Sequence, residues 1–180
     1  MAILATYPDD SATTDSDKLL TVDLGGATKL TPASTLKTYV LSSMGSGAWS
    51  NWTPTFANMT LGNGTVNFAK YVQHGKTTKC RIHVTIGTTT SITGQIGFSP
   101  PVTLAAGHFD NFPLESIMRL DDNNSTDYAG IIAVSSTTLL KLQAIGAGAA
   151  TADIQGTSTA TPFGWAAADY FAGSFSYEAA

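Results

Sequence analysis

The loop Asp121-Asp122-Asn123-Asn124-Ser125-Thr126-Asp127 sets oxygen-bearing side chains at alternate positions: Asp121, Asn123, Ser125 and Asp127. A hard cation needs several oxygens converging on one point, and calcium loops use this spacing. The pattern is incomplete here. Thr126 stands where such a loop has its glycine, and Ile132 where it has its bidentate glutamate. Clustered Asn and Asp are also the usual residues of surface turns, and that is the preferred reading.

The remaining chemistry-bearing residues do not converge in sequence. His83 lies close to Cys80, but strand alternation sends the two to opposite faces, so a shared metal site would need a register break. His74 falls in a turn and His108 in a connection. Cys80 is the one cysteine, which excludes an internal disulfide, and its place on an apolar strand face marks it as a small buried hydrophobe. A Ser–His–Asp constellation is recognised by geometry, but the G-x-S-x-G elbow is missing. Asp110 and Glu115 could be paired carboxylates for sugar hydrolysis, with nothing to single them out. A hydrolase of surface polysaccharide is therefore the least favoured reading. No catalytic, metal-binding or cofactor-binding residues are expected. Trp49, Trp52 and Trp165 are candidate stacking platforms for a glycan. The preferred reading places them at the ends of a core.

The elements that must carry these residues read as strands. From Thr65 to Gly87 two strands flank a turn at His74-Gly75-Lys76, where the glycine can take positive φ. In the second strand Cys80, Ile82, Val84 and Ile86 alternate with Lys79, Arg81, His83 and Thr85. In the first, Val66, Phe68 and Val72 are expected on one face, with Lys70 as a break. Further strands are expected at Trp49–Phe56, which opens the head, and at Ile92–Phe98, Ser116–Leu120, Tyr128–Ser135, Thr138–Ala144 and Asp169–Glu178. Irregular stretches are expected at 102–114 and 145–161. The total of roughly eight strands, at this turn spacing, indicates a sandwich or jelly roll.

Composition agrees with a β-rich globular head. Charged residues make up 12% of the chain and hydrophobic residues 43%, so burial against copies of itself is a natural outcome. The net charge is −4 without a basic patch, which argues against nucleic-acid binding. No apolar run approaches the roughly 18 residues of a membrane span. The first residues, MAILATYPDDSATT, lack the features of a signal peptide. Assembly in a cytoplasm is the expectation.

Residues 1 to 41 are different in kind. Residues 1–17 are polar and read as an extended arm. Leu19 to Leu24 and Thr28 to Leu30 form a short hairpin around Gly25-Gly26-Ala27. Thr31 as N-cap and Pro32 at the first helical position open a short helix of about three turns. Leu36, Tyr39 and Val40 share one face of it. This unit is too small to bury its own apolar side, so it needs a partner. Residues 42–48, with Ser42-Ser43 and Gly45-Ser46-Gly47, read as a linker, and 49–180 as the head.

Two stretches resemble bacteriophage fibre, tail and decoration proteins. Asp17-Lys18-Leu19-Leu20-Thr21-Val22-Asp23, Gly26-Ala27-Thr28-Lys29-Leu30-Thr31 and Leu36-Lys37-Thr38-Tyr39-Val40 resemble the N-terminal attachment module of fibres and spikes. The second stretch runs from Trp49-Ser50-Asn51-Trp52-Thr53-Pro54-Thr55-Phe56 through Gly62-Asn63-Gly64-Thr65-Val66, Lys70-Tyr71, Gly75-Lys76 and Ile92-Thr93-Gly94. It ends with Thr161-Pro162-Phe163-Gly164-Trp165, Asp169 and Tyr177-Glu178-Ala179. It resembles the β-sandwich module of small phage tail proteins. The resemblance implies a non-enzymatic virion subunit, a homotrimer assembled in the host cytoplasm. Leu19, Leu20, Val22, Leu24, Leu30, Leu36, Tyr39 and Val40 would anchor it to other virion proteins. The implied fold is all-β, an antiparallel jelly-roll-like sandwich head behind an N-terminal arm. The alternative is a receptor-recognition module that binds a host surface glycan through Trp49, Trp52 or Trp165.

Overall fold

The structure, a computed structural model, describes residues 18–22, 28–32, 34–35, 47–123, 125–146 and 153–180. The chain divides into two compact units, Met1–Ser46 and Gly47–Ala180.

In the first unit β1 (Lys18–Val22) pairs antiparallel with β2 (Thr28–Pro32), and Leu20 stands opposite Leu30. Thr31 and Pro32 close β2 instead of opening a helix; helical backbone follows at Ser34 and Thr35. Proline is acceptable at the end of an edge strand, where its missing N–H interrupts no ladder. Leu24, Leu36, Tyr39 and Val40 lie outside the described residues, as does most of the expected helix.

The second unit is all antiparallel β. Its strands are β3 (Ser50–Asn51), β4 (Phe56–Thr60), β5 (Thr65–His74), β6 (Thr77–Thr85), β7 (Ser91–Phe98), β8 (Glu115–Asp121), β9 (Asp127–Ser136), β10 (Leu139–Ile145), β11 (Ile154–Gly156) and β12 (Tyr170–Glu178). They form one sheet in the order β3-β5-β6-β12-β8-β9-β10-β7-β4, with β11 on the end of β10. The last strand thus lies in the interior of the sheet, between β6 and β8. β4 and β11 were not anticipated from the sequence.

The β5–β6 hairpin turns at Gly75, whose φ of 57° is the left-handed conformation that a glycine takes without strain. β6 buries Cys80, Ile82 and Val84 and turns Lys79, Arg81 and His83 outward, as its alternation predicts. β5 departs from the expectation. A bulge between Val66 and Phe68 shifts the register by one residue, and every later side chain changes face. Phe68 therefore stands outside, opposite His83, while Ala69 takes the inner place opposite Ile82. Phe68, Lys70 and Val72 now share the outer face, so Lys70 interrupts nothing. Val72 is nevertheless only 7% exposed.

The sheet curls until its distant strands meet. Phe98 on β7 lies 5.9 Å from Phe175 and 6.5 Å from Phe171, both on β12. Four strand steps separate β7 from β12, which would place them about 19 Å apart in a flat sheet. Ile82, Val84, Ile96, Met118, Leu120, Ile132, Val134, Leu140 and Leu142 fill the space between. Gly173 sits opposite both Ile82 and Met118, and a Cβ there would meet the Ile117 carbonyl and the Met118 sulfur. The 99–114 connection is held by Tyr177, whose hydroxyl donates to the Val102 carbonyl at 2.8 Å, and by pairing of Leu104 with Ala179.

Candidate functional site

β5, β6, β12 and β8 place their alternate residues on one outer face of this sheet. Register fixes the rows. One row reads Phe68, His83, Ala172, Arg119; the next Lys70, Arg81, Ser174, Ile117; the next Val72, Lys79, Ser176, Glu115. The β12 column is thus Ala172, Ser174 and Ser176, all short. Long side chains flank it on both sides, and a groove of about 410 Å³ results.

Trp49 stands at one end of this groove. It is 42% exposed, and the Arg81 guanidinium lies 4.8 Å from the centre of its ring. Cation–π contact of this kind fixes a long side chain that would otherwise be mobile. Across the groove Ile117 is 72% exposed, and the Ser176 hydroxyl donates to the Glu115 carboxylate.

The upper row forms a second cluster. The His83 ring packs between Phe68 at 5.6 Å and Tyr170 at 5.0 Å. Arg119 lies 5.4 Å from the centre of the Tyr170 ring. The same guanidinium nitrogen is 2.7 Å from Asp121 and 2.7 Å from Asp127. The hydrogen bond from Arg119, foremost, holds the Asp127 carboxyl below its ordinary value. Arg119 is raised by the same bond. Partial loss of water, followed by the hydrogen bond and charge of Asp121, pushes the Tyr170 phenol upward.

These contacts decide where the sequence candidates stand. The Asp121–Asp127 loop does bring its two terminal carboxylates together, but around Arg119. Among the described residues, no group of three or more His, Cys, Asp or Glu side chains is arranged to hold a metal ion. The loop is tied down by Asp169, which is buried and accepts from the Asn123 and Ala166 amides at 3.1 and 2.6 Å. Cys80 and His83 lie on opposite faces. Cys80 is buried against water, which pushes its thiol far up. Asp110 pairs with Lys141 at 2.6 Å, whereas Glu115 bonds to Ser176, so the two carboxylates serve different strands. His108 packs on Phe112 at 4.9 Å.

The three tryptophans separate. The Trp52 indole N–H donates to the Ser99 carbonyl at 3.2 Å, and its ring meets the edge of Phe175. Trp165 packs on Phe163 at 4.5 Å and Phe171 at 6.4 Å. Both join the core. Trp49 alone of the three is exposed. Of its partners on the face, Arg81 belongs to the outward set of β6 that the alternation leaves open to solvent, a neighbouring subunit or a receptor, whereas the sequence alone does not single out Ser174, Ser176 and Ile117. The even spacing of Ser174 and Ser176 along β12 carried the signal, but only the pairing of β12 between β6 and β8 gives it meaning.

Comparison with known proteins finds no matching family model, no matching curated protein and no matching solved structure.

Proposed function

We propose that the chain is a non-enzymatic structural subunit of a bacteriophage particle, a fibre or decoration protein. Residues 1–41 attach it to other virion proteins, 42–48 link, and 49–180 form the displayed head. The observation that carries this reading is the division of the chain at Ser46 and Gly47, within the Gly/Ser stretch. A small hairpin unit on one side and a large β unit on the other suit an anchor and a cargo. The motifs of 17–40 and 49–56 resemble fibre-type modules and favour the same assignment. In this reading the curled sheet is a jelly-roll-like sandwich, an inference favoured by the contact of Phe98 with Phe171. Self-association as a homotrimer belongs to it too.

The test is transfer of the anchor. Residues 1–46 fused to an unrelated folded carrier should direct that carrier into phage particles formed in the host. Exclusion of the fusion from purified particles would refute the assignment of the attachment unit.

A second reading, recognition of a host surface glycan by the head, is favoured by one feature. Trp49 holds its ring at the surface beside Arg81, at the end of a groove.

A further inference from the structure

We propose that the groove along β12 binds a saccharide that carries a carboxylate. The proposal deepens the glycan reading and rests on it.

A sugar ring presents apolar C–H faces together with hydroxyl groups that both donate and accept. A site for it therefore needs apolar walls and several short polar groups close by. The groove supplies both. Trp49 at one end and Ile117 across from it are apolar walls, and both are exposed. Ser174 and Ser176 floor it, with the Glu115 carboxylate at the rim. Its volume of about 410 Å³ lies in the usual range for small ligands.

Charge narrows the class. Lys79 and Arg81 both line the groove, and among the described residues neither makes an ion pair. Glu115, the one carboxylate in the lining, is already bonded by Ser176. Two cations thus face a single, engaged anion, and a ligand carboxylate completes the balance. The Arg81 guanidinium lies with its carbon over the Trp49 ring, 4.8 Å from the ring centre. Its N–H donors radiate in the guanidinium plane, the geometry that meets a carboxylate side-on. Holding Arg81 before the ligand arrives lowers the ordering cost of binding. Glu115 disfavours a more highly charged phosphate in the same place.

The experiment is a glycan array probed with the labelled full-length chain. The array carries uronic-acid and sialic-acid saccharides, their carboxyl-reduced forms, and neutral saccharides of equal length. Binding should be confined to the carboxylate-bearing spots and vanish when the same saccharide is carboxyl-reduced. Lys79→Ala and Arg81→Ala should each weaken it roughly tenfold, as the loss of a charge-assisted hydrogen bond does. Trp49→Ala should weaken it at least as much. All three positions are at the surface, and thermal melts should show the variants folded. Equal binding to reduced and native forms would overturn the carboxylate requirement and leave the glycan reading standing. Binding that survives all three substitutions would overturn the groove as its location. A blank array would overturn the glycan reading together with this proposal. Loss of an oligomer on Trp49→Ala, seen by light scattering, would assign the face to a second copy and overturn the proposal.

Discussion

Phe98 and Phe171 stack with ring centres 6.5 Å apart, although three strands stand between theirs in the hydrogen-bonded order. That contact closes the curl of the sheet. Both rings are fully buried, so neither can be shortened without leaving a void. Phe171→Ala should destabilise the head by roughly 3 to 5 kcal/mol, read from the midpoint of urea unfolding. A cost near that of a surface substitution would mean that β7 and β12 do not meet.

The bulge after Val66 makes opposite predictions for adjacent residues. Phe68 lies on the outer face against His83, so Phe68→Thr should cost about 1 kcal/mol or less. Ala69 occupies the inner place opposite Ile82, where Ala69→Phe should overpack the core and cost roughly 1 to 3 kcal/mol. Parallel denaturant curves of the two variants compare them. The reverse order would restore the unbulged register.

These two residues also show how far the sequence could be read. Strict alternation from Cys80 to Ile86 was enough to orient β6, and the glycine at 75 to place its turn. The β5 pattern reads as a strand interrupted by Lys70. No local signal in Val66-Asn67-Phe68-Ala69 tells a bulge from an unbroken strand, because the gain comes from burying Ala69 under neighbouring strands. β4 and β11 were missed for a related reason. β11 is three residues long and exists because β10 extends beyond its short pairing with β7. The groove was legible only as the outward set of β6, with Arg81 in it. Trp49, β6, β8 and β12 are distant in sequence, and the last three are brought together by insertion of the last strand between β6 and β8. All three tryptophans are equal candidates by type, and nothing in the sequence separates the exposure of Trp49 from the packing of Trp52 and Trp165 against the core.

Acid should act through Arg119 and its carboxylates. The folded state holds Asp127 below its ordinary value of 3.8. The stability this contributes is fully present above that value and is lost as pH falls through the lower, folded one. Wild-type melting temperature should therefore fall more steeply than that of Asp127→Asn in the acid limb below about pH 4. The two curves should converge at the lowest pH. Because the pair is exposed, added salt should shrink the difference. Curves of equal slope throughout the acid range would show that Asp127 titrates alike in both states.

Cys80 should be inert while the chain is folded. Its side chain is buried among Ile82, Phe175 and their neighbours, and burial raises its thiol well above the ordinary range. A thiol reagent such as dithionitrobenzoate should label it only after denaturant unfolds the head. Rapid stoichiometric labelling under native conditions would contradict the burial of β6.

If the two units divide attachment and display, as proposed, deletion of the first should separate the two roles. The measurement is the amount of protein that copurifies with phage particles, compared for the full chain and for a chain starting at Gly47. The shortened chain should fold with the cooperative melt of the head and be absent from the particles. Incorporation of the shortened chain at the level of the full chain would contradict that division.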